Sequence, residues 1–137
     1  MANNTKTEQR VKKQQVFDAL ARLCSRHNRD AFVIFGDAKS QKYVQFAGES
    51  GRLVLDLPSM TLDQQEMDRA KEYFGALGER LKDDQLFSEP GGKPAGTMQK
   101  FSMELGNDIE KATSITIEVF SAIYQFPPDF ELEITEN

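Results

Sequence analysis

Apolar and polar positions alternate over three consecutive short stretches, Ala31-Phe-Val-Ile-Phe35, Lys42-Tyr-Val-Gln-Phe-Ala47 and Arg52-Leu-Val-Leu-Asp-Leu57. Period-two alternation is the mark of a strand with one covered face. The second stretch turns Val44 and Phe46 one way and Tyr43 and Gln45 the other. The third turns Leu53, Leu55 and Leu57 one way and Arg52, Val54 and Asp56 the other, and Pro58 stops the ladder because it lacks an N–H. In the first stretch both sets are apolar, Phe32 with Ile34 and Val33 with Phe35. It therefore reads as a central or doubly covered strand. The turn Gly48-Glu-Ser-Gly51 is short enough to force an antiparallel hairpin. Gly36-Asp-Ala-Lys-Ser40 joins the first two strands with residues that suit turns.

Outside this meander the period changes to three and four. Residues 5–28 predict a helix whose stripe is Val16, Phe17, Leu20, Cys24 and His27, with Thr5 and Glu8 at capping-box spacing. A second helix follows Ser59, with Thr61 and Gln64 at the same spacing and a stripe through Leu62, Met67, Ala70, Phe74 and Leu77. Residues 79–96 hold a weak edge strand and a breaker-rich loop, Ser88-Glu-Pro-Gly-Gly-Lys-Pro-Ala-Gly96. A strand then spans Thr97 to Leu105. Asn107, with Glu110 three residues on, caps a third helix that runs to Pro127-Pro128. Thr113 to Phe120 favours strand by composition, yet the length and the cap outweigh a propensity of a few tenths of a kcal/mol per residue. The tail, 129–137, alternates Phe130, Leu132 and Ile134 with acids, as a last strand or an inter-subunit arm. These elements predict one α+β domain over residues 1–137. It is an antiparallel sheet of about five strands in the order α-β-β-β-α-β-β-α, with helices one and three packed on one face.

Composition narrows the function classes. At 137 residues the chain has room for one core, and 39% apolar with 28% charged residues is ordinary for a globular domain. The net charge of −5 disfavours non-specific binding to nucleic acid or anionic lipid. Residues 1–30 hold seven Lys/Arg against three Asp/Glu, so a basic first helix faces an acidic remainder. No aromatic residue is interleaved with its early lysines, which points to pairing within the fold or across a dimer. A single cysteine, Cys24, excludes an intramolecular disulfide. With no apolar signal region and no apolar run of roughly 20 residues, the expectation is a cytoplasmic protein.

Few residues carry candidate chemistry. The one histidine, His27, lies three residues after Cys24. That spacing suits two metal ligands, but no further soft ligand completes a zinc site. Cys24 reads as a small core residue and His27 as a helix-end residue favoured by the macrodipole. Ser and Thr nucleophiles lack a separate base, and no Gly-x-Ser-x-Gly elbow occurs. Gly91-Gly-Lys-Pro-Ala-Gly-Thr97 fails the phosphate-loop pattern, because Pro94 follows Lys93 and a strand follows the loop. Asp83, Asp84, Glu131 and Glu133 are spaced as solvated-edge residues. Neither a cofactor nor a metal is expected.

Three segments carry a family likeness: Phe32-Val-Ile-Phe-Gly-Asp37, Lys42-Tyr-Val-Gln-Phe-Ala47 and Gly51-Arg-Leu-Val-Leu-Asp-Leu-Pro58. With the element order, they resemble the YbjN-like and TY-Chap proteins, relatives of type III secretion chaperones. The likeness is specific over residues 31–58. It implies a sheet with helices one and three on one face, and a homodimer built through the second helix and nearby strands. It also implies a role in holding a segment of a client polypeptide.

The expected activity is therefore non-enzymatic: a chaperone-like, protein-binding domain that acts as a homodimer. With helices one and three over the Phe32, Val44, Phe46, Leu53 and Leu55 face, the candidate partner-binding strip is Val33, Phe35, Tyr43 and Val54, rimmed by Gln45 and Arg52. Helix two, a second subunit or a client strand are the three ways to cover it. The alternatives are an enzyme using carboxylates near the 83–96 loop for a small ligand or metal, and a structural subunit of an assembly.

Overall fold

The alternating stretches pair into one sheet. The computed structural model describes residues 2–26, 31–49, 51–87 and 94–137, with side chains described from Glu8 onward except at 49 and 83–98. The strands are β1 (Phe32–Asp37), β2 (Tyr43–Glu49), β3 (Arg52–Pro58), β4 (Leu81–Phe87), β5 (Pro94–Gly106) and β6 (Leu132–Glu136). They form a six-stranded sheet in the order β4-β5-β3-β2-β1-β6, and every pairing is antiparallel. The class is α+β as expected, with one strand more than the sequence pattern suggested. The extra strand is the tail. Its alternation of Leu132 and Ile134 with acids lays it along β1 of its own chain, with Ile134 beside Phe35 and Glu136 beside Val33. The expected weak edge strand after residue 79 is the continuous strand β4, and residues 88–93 of the breaker-rich loop lie outside the described residues.

Strand pairing fixes which face each side chain joins. Val33 lies beside Phe46 and Phe35 beside Val44; Phe46 lies beside Leu55, and Leu57 beside Phe101. Residues directly opposite in an antiparallel pair share a face. Val33, Phe35, Val44, Phe46, Leu53, Leu55 and Leu57 are all fully buried. This corrects the expected assignment of β1, which put Phe32 and Ile34 in the core and Val33 and Phe35 on the opposite strip. With apolar residues at both alternations, β1 carries no phase of its own; the hairpin register with β2 supplies it.

Three helices cover this one face: α1 (Ala2–Ser25), α2 (Gln64–Ala76) and α3 (Ile109–Glu118). Val16, Ala19, Leu20 and Leu23 of α1 and Ala112, Ile115 and Val119 of the third helical segment enter the same core. Helix α2 joins them rather than covering the other face, since Phe74 stacks on Phe101 of β5 with ring centroids 4.8 Å apart. Helix α1 approaches β2 so closely that a Cβ on Gly48 would come within 2.8 Å of Leu23 Cγ and 3.2 Å of its carbonyl oxygen.

Each helix start differs from the expected cap. α1 is already helical at Thr5. α2 is capped by Asp63, whose carboxylate accepts from the Glu66 N–H while Glu66 accepts from the Asp63 N–H. The bond from the Glu66 N–H holds the Asp63 carboxyl below its ordinary range. Thr61 instead sits in a 3₁₀ turn, Ser59–Thr61, and donates to Pro58 O. α3 is capped by Asp108, not Asn107, through the Lys111 N–H. The strand-prone stretch stays helical, with the Thr113 and Thr116 hydroxyls donating back to Ile109 O and Ala112 O. One π turn, Val119–Ile123, then widens the helix before Tyr124.

That turn delivers Tyr124 to the end of the sheet. Its hydroxyl donates to Tyr43 O at 2.6 Å and meets Thr61 Oγ1 at 3.0 Å. Beside it the buried Glu66 carboxylate pairs with the ammonium of Lys42, which also lies over the Tyr124 ring. At the opposite side Arg22 of α1 clamps Glu136 of β6 through two hydrogen bonds of 2.8 and 3.0 Å.

Candidate functional site

With the three helices on one face, no described helix lies on the other. Its side chains follow from the pairing registers. One row runs Glu104, Val54, Ala47, Phe32 across β5, β3, β2 and β1. The next runs Ser102, Asp56, Gln45, Ile34, Thr135, reaching β6. Beyond these, Lys82, Lys100 and Pro58 align across β4, β5 and β3, and Tyr43, Gly36 and Glu133 across β2, β1 and β6. Phe32, Ile34, Ala47 and Val54 are half-buried rather than enclosed, so a short apolar band crosses the middle of an otherwise polar surface.

Of the expected strip and its rim, Tyr43, Gln45, Arg52 and Val54 lie on this open face, while Val33 and Phe35 are buried beneath the helices. Their places are taken by Phe32 and Ile34, and Ala47 completes the band. The sequence pattern missed these three because β1 is apolar on both sides and alanine is a weak marker of either face.

The face is not flat. Near the β1–β2 turn a notch of about 250 Å³ lies among Ile34, Gly36, Asp37, Gln41, Lys42, Tyr43, Glu133 and Thr135, with the Lys42 ammonium engaged by Glu66. Gly36 forms its floor because a Cβ there would come within 3.1 Å of Lys42 O and 3.3 Å of Tyr43 Cβ. One wall is aromatic and one carries a carboxylate, a lining suited to a cationic side chain. Further along the face, Asp56 Oδ1 is buried with no hydrogen-bond partner among the described residues, with Lys100 Nζ 3.4 Å away as an ion-pair neighbour. A carboxylate in this position gains from any further donor brought to the face.

The other chemistry-bearing residues do not converge. Asp83 and Asp84 belong to β4, and Glu131 and Glu133 to the approach and body of β6, at opposite edges of the sheet. Among the described residues no group of three or more His, Cys, Asp or Glu could hold a metal ion. His27 lies outside the described residues, so its pairing with Cys24 is not placed. Cys24 itself is half-buried, and burial pushes its thiol up. A cleft of about 620 Å³ lies on the helical side, between α1 and α3. Arg10, Lys13 and Glu110 stand at its rim, all exposed, over Phe17.

No helix among the described residues is long and apolar enough to cross a membrane. Comparison with known proteins finds no matching family model, curated protein or solved structure.

Proposed function

We propose that this protein is a non-enzymatic, cytoplasmic polypeptide-binding domain whose working surface is the uncovered face of its sheet. The observation that carries the reading is the apolar band Phe32, Ile34, Ala47 and Val54, left half-exposed on a face that no described helix covers. Antiparallel sheets tolerate one solvated face, but such faces are ordinarily polar at the alternate positions. Here the centre is apolar and the borders are charged, the arrangement of a small interface with a polar rim. The likeness of residues 31–58 to chaperone-like YbjN and TY-Chap proteins points the same way. It adds the expectation of a homodimer and of a held client.

Photo-crosslinking tests the reading. A photoreactive phenylalanine analogue is placed at Ile34 on the open face and, as a control, at the exposed Asp68 on α2. Adducts with polypeptide at position 34 and none at 68 are the expected result. Equal yields at the two positions, or none at 34, would remove the open face from consideration.

A further inference from the structure

The six strands are arranged so that the open face is complementary to itself, and we propose that its occupant is a second copy of this chain, stacked sheet against sheet. This rests on the polypeptide-binding reading and names its partner. The midpoint of the order β4-β5-β3-β2-β1-β6 falls between β3 and β2. A twofold axis there, parallel to the strands, sets β4 over β6, β5 over β1 and β3 over β2 of the other copy. Such a contact is isologous, so each pairing occurs twice.

Charged positions at the edges and small apolar positions at the centre then find matches, while Ile34 falls opposite Ser102. In the row nearest the β1–β2 turn, Lys82 on one edge strand meets Glu133 on the other, and Lys100 meets the Gly36 notch between Tyr43 and Glu133. In the middle row, Asp56 faces Gln45 of the second copy, whose amide offers the carboxylate a donor. In the last row Val54 and Ala47, neighbours within one sheet, stack on Ala47 and Val54 of the other, and Phe32 falls opposite Glu104. The Lys82 edge and the Glu133 edge thus meet, with Val54 and Ala47 at the centre. Sheets stacked face to face sit about 10 Å apart and cross at about 30°. At the outer strands that crossing is an offset of roughly 6 Å, within reach of a lysine side chain. The stacking leaves α2 outside, unlike the dimer through the second helix that the family likeness implies.

Sedimentation equilibrium over a wide concentration range tests the inference, on the unaltered chain and on four variants. The unaltered chain is expected to show a reversible monomer–dimer equilibrium. Glu133→Lys and Lys82→Glu should each weaken it by about tenfold, equivalent to about 1.4 kcal/mol. The double variant carrying both should recover to within about threefold of the original, because the exchanged charges meet again across the twofold axis. Ala47→Arg should abolish association, with an unchanged circular dichroism spectrum showing that the domain still folds. A monomer at every concentration overturns the proposal. So does a dimer indifferent to Glu133→Lys and Ala47→Arg, which would place the contact elsewhere. The crosslinks from position 34 separate this failure from that of the broader reading: an adduct with a different polypeptide ends the self-pairing proposal and leaves polypeptide binding standing, while no adduct ends both.

Discussion

Replacing Lys42 with methionine strands the carboxylate of Glu66 in the interior. Glu66 keeps only 4% of its side-chain surface exposed, whereas Lys42 keeps 27%. Breaking a fully buried pair from one side costs about 3–5 kcal/mol, and the partial exposure of Lys42 lowers the expectation to about 2–3 kcal/mol. Glu66→Gln retains an acceptor for the Asp63 N–H and removes the stranded charge, so its cost is about 1 kcal/mol. Urea denaturation of the two variants checks the order; equal losses would show that the pair is not coupled. Tyr124 gives a second residue-scale prediction. Burial pushes its hydroxyl well above the ordinary value of 10.0, and the same holds for Tyr73, whose hydroxyl donates to Glu118. The unfolded chain therefore loses those protons first. Stability from these groups is complete below pH 10 and falls above it, by up to about 1.4 kcal/mol per pH unit for the buried Tyr124 hydroxyl and by less for the half-exposed Tyr73. Tyr124→Phe should flatten that alkaline limb in denaturation measurements, at the loss near neutral pH of about 1 kcal/mol for the bond to Tyr43 O. An alkaline limb of unchanged slope would assign the effect to other groups. Neither the Lys42–Glu66 pair nor the reach of Tyr124 was visible in the sequence. Both join residues far apart along the chain, and no periodicity encodes a contact of that kind.

At the scale of elements, the sequence pattern located every helix and most strands, and its errors have two causes. The first is competition among caps. Thr61 and Asp63 each stand near the start of α2, and so do Asn107 and Asp108 near α3, so the spacing rule alone cannot choose between them. The carboxylates prevail, as acids suit the positive end of a helix. The second is the silent phase of β1, which placed Val33 and Phe35 on the wrong face and Phe32 and Ile34 in the core. The pattern of Leu53, Leu55 and Leu57, by contrast, was sufficient by itself, because its alternate positions include Arg52 and Asp56. The approach of α1 to β2 yields the prediction at this scale. Gly48→Ala inserts a methyl group against Leu23, itself 2% exposed and with its carbonyl also in the way. The helix must shift, at a cost of about 1–3 kcal/mol. Gly75→Ala, where a Cβ meets nothing within 4 Å, serves as the control and should be neutral or slightly stabilising by helix propensity. A thermal midpoint for Gly48→Ala equal to that of the control would mean the contact is loose.

For the molecule as a whole, the sequence pattern conveyed the class and the existence of an exposed strip, and it missed that α2 sides with the other helices. Whether α2 crosses to the second face is decided by Phe74 and Phe101, each apolar and each plausible on either side until the strands are ordered. The open face that results has a definite electrostatic signature. In the proposed pairing the outermost matches are exposed charges, Lys82 against Glu133, and exposed charges are screened beyond about 8 Å at physiological ionic strength. Self-association through this face should therefore weaken by about three- to tenfold between low and high salt, as read by sedimentation. Association that strengthens with salt would point to a purely apolar contact instead.

The pairing of β6 with β1 carries a consequence for how the chain reaches this state. Val33 and Glu136 are partners although they lie 103 positions apart in a chain of 137. Loops that long close slowly, and the rest of the sheet gains nothing from their closure until the strand arrives. A growing polypeptide that has made β1, β2 and β3 but not yet Leu132–Glu136 carries the outer side of β1 as a row of unpaired backbone groups. That interval of synthesis, rather than any condition met by the finished protein, is when the chain is most open to pairing with the wrong strand.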